Sequence, residues 1–178
     1  MDKKELIFLV EDNTIFASSV KKGLEKEMDF EVRVFETGEK LIEFIEANTA
    51  TVPSMIVLDY ELNSMIPEAK NGSQILTLLK DPSKRSNPYK KIPVIILTMR
   101  TDADIAVPLL KKGATDYIIK DEDFFINLKK TINNIIDVRK YKEEITFHKN
   151  KAETYRKRLM LMAGVIIVML AALFFLFK

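Results

Sequence analysis

The first 137 residues alternate between short apolar runs and longer stretches in which apolar positions recur at helical spacing. Residues 6–10, 55–58 and 93–97 are almost wholly apolar, 31–35 is mixed, and 117–119 is a fifth short run. Runs of this kind suit parallel strands covered on both faces. Between them, Ile15, Val20, Leu24 and Met28 mark one helical stripe and Leu41, Ile42 and Ile45 a second. Ile75, Leu76 and Leu79 mark a third, Val107 and Leu110 a fourth, and Leu128, Ile132 and Ile135 a fifth. Five βα units predict an α/β fold: a doubly wound five-stranded parallel sheet, order 2-1-3-4-5, flanked by five helices. Two long polar stretches, 63–71 and 81–91, read as surface loops.

Beyond this body, residues 138–158 contain no Pro or Gly and can prolong the fifth helix. Val138, Tyr141, Ile145, His148, Ala152, Tyr155, Leu159 and Met162 follow alternating spacings of three and four. That pattern fits an a/d seam, hence a parallel homodimer through residues 138–162, or equally a single amphipathic linker helix. His148, the one histidine, has no partner residues suggesting phosphotransfer or metal chemistry.

Residues 159–177 form a run of 19 without a charge. As a helix it reaches about 28 Å, close to the hydrocarbon thickness of a bilayer. A buried core helix would ordinarily keep a polar stripe, so a transmembrane span is expected. Residues 139–158 hold eight Lys or Arg against three Glu, and only Lys178 follows the span. The positive-inside rule then places the N-terminal body in the cytoplasm, making a single-pass, tail-anchored membrane protein. The basic stretch before the span also suits contact with anionic lipid. The expected division is 1–137 body, 138–158 basic linker helix and 159–177 anchor.

Composition adds exclusions. Lys plus Arg number 28 and Asp plus Glu 26, a balance that gives no nucleic-acid signal. There is no Cys, so no disulfide or thiolate metal site. The apolar run at 6–10 is too short for a signal peptide and meets Glu11 and Asp12 at once.

The candidate chemistry lies at the strand ends. Doubly wound sheets bind ligands beyond the carboxyl ends of their strands. Strand 1 runs into Glu11 and Asp12, strand 3 into Asp59, strand 4 into Thr98 and strand 5 into Lys120. Each residue alone has an ordinary explanation, such as a helix cap, a turn or a solvated lysine. Their joint placement is specific. Three neighbouring carboxylates repel one another, and Mg²⁺, which prefers oxygen ligands, would neutralise them. A hydroxyl and an ammonium beside them suit phosphoryl transfer to a carboxylate nucleophile.

The chain resembles the response-regulator receiver family, the CheY-like fold. Leu9-Val10-Glu11-Asp12-Asn13, Ile56-Val57-Leu58-Asp59-Tyr60, Ile92-Pro93-Val94-Ile95-Ile96-Leu97-Thr98 and the stretch from Lys112 through Gly113 to Lys120 carry the resemblance, which covers residues 5 to 137. It implies that Asp59 accepts a phosphoryl group from a histidine kinase or histidine phosphotransfer protein. It also implies that Glu11, Asp12, Asp59 and the backbone carbonyl of Glu61 hold Mg²⁺. Lys120 would pair with the phosphoryl group, Thr98 would move toward it, and Tyr117 would swing inward. A change in the surface of helix 4, strand 5 and helix 5 would then be read by an unknown downstream protein. Such a domain is no enzyme beyond its own phosphoryl transfer and slow autodephosphorylation.

Several features depart from the family pattern. The segment between Asp59 and Gly72 is longer, the extra residues lying in 64–71. Met99 stands where a small residue is common, narrowing access, and Glu61 and Arg100 could face each other as a gate over the site. Asp121 replaces the usual Pro, so a cis peptide is not expected there. Pro108 should kink helix 4 or shift its start. Two other readings compete. One is an unphosphorylated pseudo-receiver acting as a membrane scaffold, against which Asp59, Thr98 and Lys120 argue. The other is an aspartate-nucleophile phosphatase, which would carry a second Asp where Glu61 stands.

Overall fold

The computed structural model describes residues 4–48, 50–62, 68–81, 83, 88–101 and 103–176. The side chains of Ala103, Ile166, Val168, Ala171 and 174–176 also lie outside that description. Much of the expected loops 63–71 and 81–91 falls outside it as well, including the core of the 64–71 insertion. The chain divides into two compact units, Met1–Ile132 and Asn133–Lys178.

In the first unit five parallel strands alternate with helices. They are β1 (Leu6–Val10), α1 (Thr14–Glu27), β2 (Glu31–Phe35), α2 (Gly38–Ala47), β3 (Met55–Asp59), α3 (Gly72–Lys80), β4 (Val94–Thr98), α4 (Ala103–Lys111), β5 (Asp116–Ile119) and α5 (Phe124–Leu176). The sheet order is β2-β1-β3-β4-β5, as the hydrophobic pattern predicts. β1, β3 and β4 are buried nearly throughout because helices cover both faces of the sheet, which removes the polar alternation of a one-sided sheet. Phe8 and Phe35 meet edge-to-face with centroids 5.1 Å apart, and Phe44 closes on Phe8 at 5.6 Å. Such pairs add directional packing to simple burial.

The helix faces differ from two expectations. Ile15 is 82% exposed, and α1 buries Ala17, Val20 and Leu24 instead. Asn13 caps α1, accepting from the N–H groups of Ile15 and Phe16, which fixes the helix phase with Ile15 outward. On α4 the buried residue is Leu109, whereas Val107 and Leu110 are exposed. Pro108 lies inside α4, so the carbonyl of Asp104 lacks its usual i+4 N–H. Among the described residues no peptide bond is cis, in line with Asp121 at the usual proline position.

A 3₁₀ turn, Pro88–Lys91, lies in the stretch expected to be a plain surface loop. It buries Tyr89, whose hydroxyl donates to the Thr51 carbonyl at 2.8 Å. Lys80 donates to the carbonyls of Lys90 (3.1 Å) and Ile92 (2.5 Å), pinning the end of α3 to this turn.

The second unit is the helical continuation of α5. Val138, Tyr141, Ile145, Tyr155, Leu159 and Met162 of the expected seam are exposed. Among the described residues, no helix is long and apolar enough to cross a membrane, which leaves the span and tail anchor expected over 159–177 without structural support. Several side chains of that segment, and residue 177, are outside the description, so it contains no uninterrupted described run of that length.

Candidate functional site

The parallel register brings four strand ends together. Val10 pairs with Leu58, Asp59 with Leu97, and Thr98 with Ile119. Glu11 and Asp12 therefore leave β1 beside Asp59, the last residue of β3, and Lys120 leaves β5 beside Thr98, the last residue of β4. Backbone bonds carry the pairing beyond the strands: Tyr60 N–H donates to Leu97, and Lys120 N–H to Thr98.

One oxygen from each of Glu11, Asp12 and Asp59 lies within 4.8 Å of the others. Glu11, Asp59 and Thr98 are almost fully buried. Such crowding needs a counter-charge, and Lys120 supplies one. Its Nζ is 2.8 Å from Glu11 Oε2 and 2.9 Å from Asp59 Oδ1. Burial, and then repulsion from Asp59, push the Glu11 carboxyl up to about 7 even though Lys120 and the Asn13 N–H act the other way. Burial opposes the charge on Lys120, but the Asp59 and Glu11 carboxylates outweigh it and hold its pKa above that of an ordinary lysine.

Phe16 was not singled out by sequence reasoning, yet its ring faces Lys120, with Nζ 4.6 Å from the centroid. Phe124 packs on Phe16 at 5.0 Å. This aromatic wall holds the ammonium over the carboxylates. The signal in the sequence is slight: an aromatic in the first turn of a helix that follows an acidic pair. Gly72 is also part of the site. A Cβ there would stand 2.2 Å from the Asp59 carbonyl oxygen, and its N–H donates to the Tyr60 carbonyl at 2.9 Å. Only glycine lets α3 start this close to the end of β3.

Thr98 Oγ1 accepts from the Arg100 N–H at 3.0 Å and lies 3.5 Å from both carboxylate oxygens of Glu61. Glu61 also accepts from the Met99 N–H at 3.2 Å, and its own N–H donates to Asp59 Oδ1 at 3.3 Å. The Glu61 carboxylate thus engages the backbone and hydroxyl at the end of β4. Met99 is 67% exposed. The Tyr117 hydroxyl donates to the Arg100 carbonyl.

The donor set fits a hard divalent cation: three carboxylates, two of them buried, one with a pKa raised by burial and then by its charged neighbour Asp59. The profile of the response regulator receiver domain matches residues 7–133. The transcriptional regulatory protein DegU of Brevibacillus brevis is 28% identical over 68% of this chain and 46% of its own length. The regulatory protein LuxO of Vibrio cholerae is 28% identical over 83% of this chain and 29% of its own. The chain therefore spans less than half the length of these two relatives. Among solved structures, the signal receiver domain of a Luxo repressor protein from Vibrio parahaemolyticus superposes with a TM-score of 0.62 at 28% identity, covering 80% of this chain and 98% of that one.

Proposed function

Because the chain belongs to the response-regulator receiver family of two-component signalling, we propose that it works as a phosphoacceptor, with Asp59 receiving a phosphoryl group from a histidine kinase or histidine phosphotransfer protein. The observation that carries this reading is the buried Asp59 carboxylate, held between Glu11, Asp12 and Lys120 at the sheet edge. An Asp59 carboxylate oxygen attacks phosphorus, the phosphorus–nitrogen bond of the donor breaks, and the imidazole leaves with the bonding pair and takes up a proton. Mg²⁺, held by Glu11, Asp12, Asp59 and the carbonyl of Glu61, would offset charge on the group in transfer. Lys120, already poised between two carboxylates, would turn its ammonium to a phosphoryl oxygen. The Thr98 hydroxyl would follow, and Tyr117, tied to the turn after Thr98 through Arg100, would move inward. The domain acts on nothing but its own aspartyl phosphate, and the altered surface is read by a downstream protein.

Residues 159–177 serve in this proposal as a membrane tether, with the receiver on the cytoplasmic side. The reading rests on the uncharged run and on the basic residues before it. The described apolar side chains there, including Leu161, Val165 and Leu170, are exposed and call for a nonpolar surrounding. The seam over 138–162 offers a homodimer contact. A constitutive scaffold is the second reading, and the intact triad of Asp59, Thr98 and Lys120 speaks against it.

The test uses the full chain in mild detergent with Mg²⁺ and acetyl phosphate, comparing wild type with Asp59→Ala by intact mass. A phosphoryl adduct in wild type alone is expected. If wild type takes up neither a phosphoryl group nor beryllofluoride, the scaffold reading replaces this one.

A further inference from the structure

The Glu61 side chain has no part in the chemistry above, yet it touches the groups that must move. A threonine hydroxyl has one hydrogen to give. At Thr98 the Arg100 N–H occupies a lone pair at 3.0 Å, and the Glu61 carboxylate lies 3.5 Å from the hydroxyl through either oxygen, at the long limit for accepting its hydrogen. The same carboxylate takes the Met99 N–H at 3.2 Å. It therefore holds the 98–100 turn at two points, and that turn in its own right holds Tyr117 through the Arg100 carbonyl. Meanwhile the Glu61 N–H is bonded to Asp59 Oδ1, so the backbone of Glu61 adjoins the acceptor carboxylate.

From this chain of contacts we infer that Glu61 is a positioning residue, a latch that keeps Thr98 and Tyr117 in the unphosphorylated arrangement by competing for the Thr98 hydroxyl. The inference rests on Asp59 being the phosphoacceptor. A phosphoryl group there brings a charge of about −2 close to the Glu61 carboxylate. Two like charges now share one hydroxyl, and the weaker holder is displaced. Release of Glu61 frees the turn at Met99 and, through Arg100, frees Tyr117. The latch thereby couples charge at Asp59 to the far side of β4 through named bonds, and it sets how much of the phosphoryl interaction is spent on opening.

The experiment measures beryllofluoride affinity of the full chain at fixed Mg²⁺ for wild type, Glu61→Ala, Glu61→Gln, Thr98→Ala and the Glu61→Ala/Thr98→Ala pair. Glu61→Ala should tighten binding by about tenfold, the equivalent of one charge-assisted hydrogen bond. Glu61→Gln should fall between, since the amide keeps an acceptor for Met99 but loses the charge. In the Thr98→Ala background the gain from Glu61→Ala should shrink, because the contested hydroxyl is gone. An unchanged or weakened affinity in Glu61→Ala overturns the latch. So does an equal gain in both backgrounds with Gln matching Ala, which would reduce Glu61 to a diffuse negative charge. If no variant binds beryllofluoride, the phosphoacceptor reading fails and the latch with it; binding by wild type without a gain in Glu61→Ala removes the latch alone.

Discussion

Glu11 is the residue where burial and charge conflict most openly. Its carboxyl titrates at about 7 in the fold, against 4.5 for an ordinary glutamate. With the folded value raised, the native state binds the proton more tightly than the unfolded chain. The stability it contributes is fully present below about pH 4.5 and is lost as pH rises through 7. In EDTA the domain should lose up to about 3 kcal/mol across that interval. Denaturant midpoints measured from pH 4 to 8 check this, and Glu11→Gln should flatten the profile. Added Mg²⁺ should flatten it too, because a cation favours the ionised carboxylate and displaces the proton.

The acidic and basic groups at the strand ends were legible in the sequence because each follows an apolar run directly. Phe16 was not, because it acts across elements through a contact to Lys120 that no local spacing encodes. Glu61 was named for its place beside the site, but its bonds to the turn after β4 were not legible, for the same reason.

At the scale of elements, the sheet order followed from apolar runs of strand length separated by helical stripes, and the strand bounds shifted by a residue at most at each end. The misreadings have separate physical causes. Ile15 was assigned inward from its spacing to Val20, but the Asn13 cap sets the helix phase and leaves it in solvent. On the short α4, the buried place goes to Leu109, between two exposed apolar neighbours that the spacing had favoured. Tyr89 was hidden in a basic, proline-containing stretch, and its burial depends on a carbonyl 38 residues away. Gly72 is the junction on which the site's geometry depends most. Gly72→Ala would drive a methyl group into the Asp59 carbonyl, so β3 or α3 must shift. We expect a loss of about 1–3 kcal/mol by chemical denaturation, in the range of overpacked cores. Mg²⁺ affinity should fall with it, as Asp59 is carried out of register with Glu11 and Asp12.

On the scale of the whole molecule, the proposed tether makes a prediction that needs no knowledge of the partner. The full chain, expressed in cells, should remain with alkali-washed membranes. Val165→Arg combined with Leu170→Arg should release it, since two charges at mid-span cost about 5–7 kcal/mol on insertion scales. Retention of the double variant would mean that another part of the chain holds the membrane, and release of wild type would dispose of the tether.

The position of β1 in the sheet bears on how the chain folds during synthesis. β1 is flanked by β2 on one side and β3 on the other, and Ile7 must find Met55 across 48 residues of chain. Until β3 has emerged, the strand Leu6–Val10, apolar along its length, has one edge with no native partner. An unpaired apolar edge is a template for a second nascent chain. The yield of refolded protein should therefore fall steeply with concentration, and during synthesis the interval of greatest danger ends when Asp59, the last residue of β3, has emerged from the ribosome.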